Sequence, residues 1–168
     1  MEGPERRKDL HIEPFMEDHM VLVVPASHDW AGQEVTPAMI SEEPLLMREH
    51  GSGSRRVVEQ ALAANGMKAK DLYISMQFDS TEGLLTAVEA GLGVTFVSSW
   101  SVRNQLALGT LKLAYAKDLK LSRSFSLALP SGPQPAGNVG AFRALLLSHT
   151  FESEPRSKRR PNTLRSRQ

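Results

Sequence analysis

Arg48-Glu49-His50-Gly51-Ser52-Gly53-Ser54-Arg55 sits between an apolar run at residues 45–47 and a stretch in which Val57, Val58, Ala61 and Leu62 share one helical face. Two glycines and two serines between a strand and a helix start let the backbone approach a bound group, and free N–H groups at a helix N-terminus favour an anion. The same spacing also fits a capped turn without a ligand. A phosphate-binding P-loop does not fit, because no Gly-Lys-Ser/Thr follows. The pattern predicts a helix over residues 54–65, with Gly66 where a left-handed C-terminal cap belongs.

Toward the C-terminus, residues 72–78 read as a strand. Asp79-Ser80-Thr81-Glu82 then offers a capping box, with Asp79 as cap and Glu82 three residues on. Leu84, Leu85 and Val88 give that helix its buried stripe, and Gly91 closes it. A strand over 94–97, a short helix over 101–108 ending at Gly109, and strands over 111–114 and 125–129 follow. A Pro/Gly-rich loop and a last helix near 138–149, striped by Phe142, Leu145 and Leu146, complete the pattern.

Toward the N-terminus, residues 10–15 and 20–24 read as two strands, the second a continuous apolar run suited to burial on both faces. Residues 26–35 read as a loop. Thr36-Pro37 is a helix start, a capping hydroxyl followed by proline at the first helical position. Alternating strands and helices imply a largely parallel α/β sheet, in which ligands sit where helix N-termini meet strand C-termini. Ser80-Thr81 is a second helix start after a strand, so two starts can converge on one anion; ordinary capping is the alternative.

Composition narrows the function. With 168 residues, 40% of them hydrophobic and 23% charged, the chain suits one globular domain. No run approaches the roughly 20 apolar residues that span a bilayer. The charged start, with Glu5, Arg6, Arg7, Lys8 and Asp9, does not resemble an export signal, so a cytoplasmic protein is expected. Cysteine is absent, which removes disulfides, thiolate metal sites and cysteine nucleophiles. Basic residues concentrate after residue 151, leaving the rest mildly acidic. That tail reads as solvated and disordered, or else as a basic arm brushing nucleic acid. The histidines lack metal-ligand spacing, and Gly51-Ser52-Gly53 does not complete a Gly-x-Ser-x-Gly nucleophile turn. Gly91-Leu92-Gly93 begins a dinucleotide fingerprint but fails at Phe96. Trp30 and Trp100 are isolated from basic clusters. No enzyme, metal or cofactor is expected.

The order of motifs resembles the LysR-type transcriptional regulators. Glu13-Pro14-Phe15 through Pro25, then His28, is similar to the family's strand leading toward the second subdomain. Arg48-Glu49-His50-Gly51-Ser52-Gly53-Ser54-Arg55 is similar to its Arg-Glu-x-Gly-Ser-Gly-Thr-Arg. Ser80-Thr81-Glu82, then Ala87-Val88-Glu89-Ala90-Gly91-Leu92-Gly93 onward to Ser98, looks like its longest signature; 106–111 and Arg123 continue the match.

The resemblance implies a periplasmic-binding-protein-like (type 2) effector domain with a complete second subdomain and a partial first one. Residues 1–25 would be partial first subdomain and hinge strand, 26–116 the second subdomain, 117–150 the return hinge and the rest of the first, and 151–168 a disordered basic tail. It implies a small anionic effector held by Arg48, Gly51, Ser52, Gly53, Ser54, Ser80, Thr81, Val97 and Ser98. Arg48 either balances that anion or pairs with Glu49. The Arg-Glu-x-Gly-Ser-Gly form is similar to regulators of sulfur assimilation, which implies a sulfite- or sulfate-like ligand. The chain is expected to be a fragment that begins within the first subdomain, to form homodimers through effector domains, and to reach DNA only through a helix-turn-helix outside this sequence. The alternative is a free-standing solute-binding protein.

Overall fold

A computed structural model describes residues 9–148; the expected tail and His149 lie outside them. The 16-residue strand β1 (Leu10–Pro25) organises the chain. After it come β2 (Glu34–Val35), α1 (Pro37–Glu42), β3 (Leu45–Arg48), α2 (Gly53–Ala64), a single 3-10 turn, β4 (Ile74–Phe78) and α3 (Thr81–Glu89). Then follow β5 (Thr95–Ser98), α4 (Arg103–Leu108), β6 (Leu111–Ala116), β7 (Ser122–Pro130) and α5 (Gly137–Ser148).

The C-terminal half of β1 is the centre of the main sheet. It pairs antiparallel with β5, placing Val21 opposite Val97, and with β6, placing Leu22 opposite Ala114. β2 adds to β6 in parallel. On the other side, β3 and β4 pair in parallel and join β5 through a parallel bridge between Leu45 and Val94. Side chains alternate across a strand, so one run feeds two cores. Leu22 and Val24 pack with Ile40 of α1 and Val58 and Leu62 of α2 on one face. Val23 packs with Leu84, Leu85 and Val88 of α3 and with Val97 and Val102 on the other. Each such buried aliphatic contributes about 1.5–3 kcal/mol relative to exposure. The outcome is a sheet with helices on both faces.

The N-terminal half of β1 leaves this sheet and pairs antiparallel with β7, from Leu10 opposite Pro130 to His19 opposite Ser122. α5 is tied to this ribbon by Arg143, which donates to Glu13 at 2.7 Å. The α/β fold therefore has two sheet-containing subdomains and resembles the type 2 periplasmic-binding-protein architecture.

Several expectations are corrected. The two N-terminal strands are one, because Glu17 and Asp18 between the apolar runs stay extended, with Asp18 a fully buried ion-pair partner. The sheet is parallel around β3 and β4 but antiparallel along β1, whose direction an apolar run does not encode. β2 lies in the expected loop. Ser80, not Asp79, caps α3, its Oγ accepting from Gly83 N at 2.9 Å. On α5, Leu146 is half-buried, whereas Phe142 and Leu145 are exposed.

Other signals hold. Thr36 caps α1 through the amide of Met39, with Pro37 following. Gly93 has φ +153°, and a Cβ there would lie 2.3 Å from the carbonyl oxygen of Pro44, which accepts from Val94 N. Only glycine fits that close approach between β5 and β3.

Candidate functional site

Two parallel strands, β3 and β4, each hand over to a helix at the same edge of the sheet. β3 ends at Arg48, and α2 begins after the Gly51 turn, where φ is +95°. Ser52 occupies the N-cap position of α2 without a side-chain capping bond. β4 ends at Phe78, and α3 begins after Ser80. Beside these starts lies a cavity of about 570 Å³.

Of the residues expected at the site, Arg48, Ser54, Thr81, Val97 and Ser98 line this cavity. Gly51, Ser52, Gly53 and Ser80 are not in its lining; Gly53 instead borders a neighbouring space of about 530 Å³ with Arg56 and Gln60. Ser80 is spent on its cap.

Arg48 ties the end of β3 to the start of α3. Its Nη1 donates to Thr81 Oγ1 at 3.0 Å and its Nη2 to the Asp79 carbonyl at 3.0 Å. It also pairs bidentately with Glu49, at 2.8 and 3.1 Å. The Arg48 guanidinium, by hydrogen bonding, holds the Glu49 carboxyl below its ordinary value. Arg55, buried at the first turn of α2, donates to the Arg48 carbonyl at 3.0 Å and to Glu59 at 2.6 Å. Its charge is thereby matched within the helix.

Arg123 of β7 plays the corresponding part from the ribbon. Its Nε donates to Asp18 Oδ2 at 2.8 Å and its Nη1 to Ser54 Oγ at 3.1 Å. Asp18, at 0% exposure, also accepts from Ser98 Oγ at 2.7 Å. Ser98 Oγ in turn accepts from Trp100 N. One network thus ties β1, β7, β5 and the start of α2 together.

Sequence reasoning missed the apolar wall, formed by Phe15, Met16, Leu84, Phe96, Trp100, Phe125 and Leu146, and also missed Ser101 and Arg123. Phe15 and Met16 are adjacent yet reach the same cavity. A register shift between Pro14 and Met16 leaves Phe15 as an extra residue on β1, and such a bulge breaks the usual alternation. Trp100, isolated in sequence, lies under the Arg103 guanidinium at 3.7 Å. The available signals were an acid inside an apolar run, Asp18, and an arginine between serines beside an aromatic, Arg123. Among the described residues no group of histidine and carboxylate side chains is arranged to hold a metal, and no helix is long and apolar enough to cross a membrane.

A family model described as the LysR substrate binding domain matches residues 1–150. The HTH-type transcriptional regulator CysL of Bacillus subtilis is 31% identical over 127 residues, which is 75% of this chain and 42% of that protein. The CcmR regulatory domain of Synechocystis PCC6803, solved in complex with 2-PG, superposes with a TM-score of 0.77 at 22% identity, covering 88% of this chain and 70% of that one. The effector binding domain of QuiR, solved in complex with shikimate, gives 0.72 at 18% identity, covering 87% and 68%. The chain spans less than half the length of curated relatives such as CysL and the RuBisCO operon regulator of Allochromatium vinosum.

Proposed function

The chain belongs to the LysR substrate-binding domain family, and from that premise we propose that the cavity beside α2 and α3 binds a small anionic effector and performs no chemistry. One observation carries the reading: Ser54 and Thr81, at the first turns of two helices, line a single cavity, and each takes a hydrogen bond from a different arginine. Helix starts concentrate unpaired N–H groups and the positive end of the helix dipole, so negative charge is stabilised there. The ligands named for the CcmR and QuiR domains support a small metabolite of this kind.

In this reading Arg48, Ser54, Thr81, Val97 and Ser98 contact or border the effector, while Gly51, Ser52, Gly53 and Ser80 shape the two turns. Among the described residues, 9–25 and 117–148 form the first subdomain and hinge, and 26–116 the second. A ligand at Ser54 acts on the Arg123–Asp18 pair and so on the ribbon. Occupancy thereby reaches a DNA-binding helix-turn-helix elsewhere in the regulator. Homodimerisation through effector domains and a cytoplasmic setting complete the proposal.

The test is a thermal-shift panel of carboxylates, phosphate esters and sulfur oxyanions on the chain. A ligand at 100 times its Kd adds about 2.7 kcal/mol of stability. A hit lost in Thr81→Val supports the reading; a panel with no stabilising anion refutes it.

A further inference from the structure

Resting on the effector-site reading above, we propose that the cavity selects a monoanionic carboxylate on a flat apolar body, an aromatic or alicyclic acid, in place of the sulfate-like ligand that the sequence resemblance implies.

The hydroxyls carry the first part. Thr81 Oγ1 accepts from Arg48 Nη1 and Ser54 Oγ accepts from Arg123 Nη1. A hydroxyl whose lone pair is engaged by a guanidinium N–H turns its own hydrogen away from that donor. Both residues line the cavity, so each is set to donate into it. Two hydroxyl donors on two separate helix starts match the two oxygens of one carboxylate. Ser98, by contrast, both donates to Asp18 and accepts from Trp100 N, and it has no donor left to offer.

Charge carries the second part. Arg48 is paired with Glu49 and Arg123 with Asp18, so each guanidinium at the cavity is matched by a carboxylate of the protein. Among the described lining residues, the helix starts are left to balance an incoming charge, and they suit one negative charge better than two. A single charge spread over two oxygens suits donors polarised by already paired cations better than sulfate or a phosphate dianion does.

The walls carry the third part. Beyond the hydroxyls the cavity is faced by Phe15, Phe96, Val97, Phe125 and Leu146. Its volume of about 570 Å³ falls within the usual range for small-molecule sites. An inorganic oxyanion displaces only a few waters' worth, at about 30 Å³ each, and leaves this wall wet. A ring covers it and gains from every apolar group buried.

The experiment is isothermal titration calorimetry of the 168-residue chain with benzoate, cyclohexanecarboxylate, acetate and sulfate. Near-isosteric Thr81→Val and Ser54→Ala variants, shown to melt cooperatively, are titrated beside it. The ring acids are expected to bind at least tenfold more tightly than acetate or sulfate, and each variant to weaken benzoate about tenfold. Acetate or sulfate binding as tightly as the ring acids overturns the inference; if Thr81→Val still weakens that binding, the effector-site reading stands. Ring-acid binding unchanged in both variants places the ligand elsewhere and overturns the inference. No heat with any of the four probes overturns it, and a blank result with the wider anion panel as well overturns the effector-site reading with it.

Discussion

Asp18→Ala is expected to be among the most damaging single polar substitutions in the chain. Asp18 is fully buried and accepts from both Ser98 Oγ and Arg123 Nε, while the Arg123 side chain keeps only 9% of its exposure. Removing the carboxylate breaks this buried ion pair from one side, which costs about 3–5 kcal/mol. At roughly 2–4 °C per kcal/mol for a domain of this size, the melting temperature should fall by about 6–20 °C. Glu34→Ala is the control. The Lys117–Glu34 pair is 3.7 Å long, with side chains 53% and 65% exposed, so its loss should cost less than about 1 kcal/mol. Asp18→Ala/Arg123→Met removes both charges and should recover part of the loss, giving a coupling of about 1–3 kcal/mol in a double-mutant cycle. Urea denaturation followed by circular dichroism measures all of these. Asp18→Ala falling within 1 kcal/mol of the parent would refute the claim that this pair clamps the ribbon.

Three further outcomes are expected. Gly93→Ala forces a Cβ against the Pro44 carbonyl at a φ of +153°, and should destabilise the chain by more than about 2 kcal/mol in urea melts, where Gly32→Ala, with open space around it, costs less. Arg48→Met removes the first cause of the low Glu49 pKa, so the carboxyl should titrate nearer its ordinary value by NMR. In the parent, Glu49 has a folded pKa below its unfolded one, so its stabilising contribution is present above the ordinary carboxylate range and lost as pH falls through the depressed value. Phe142→Ser, at a side chain 61% exposed, should change stability by no more than about 0.5 kcal/mol.

The helix starts were the most legible feature of the sequence. Thr36-Pro37 and the Gly-Ser-Gly-Ser turn announce themselves through local chemistry, and the structure places α1 and α2 behind them. The shared core was legible too, because Leu22, Val23 and Val24 form one apolar run. What stayed hidden depends on partners distant in sequence. Asp18 and Arg123 are 105 positions apart, and neither reveals its partner. The bulge that brings Phe15 beside Met16 arises from pairing with β7, not from residues 14–16 alone. Most of the cavity's apolar wall was therefore missed, while both of its helix-borne hydroxyls were found.

The most direct test follows backbone amides by ¹⁵N NMR during titration of the chain with the tightest-binding anion. The account predicts the largest shifts at Gly53, Ser54 and Arg55 and at Thr81, Glu82 and Gly83, saturating together at one Kd. Shifts confined to Arg56 and Gln60, or two groups saturating at different concentrations, would contradict a single site shared by the two helix starts.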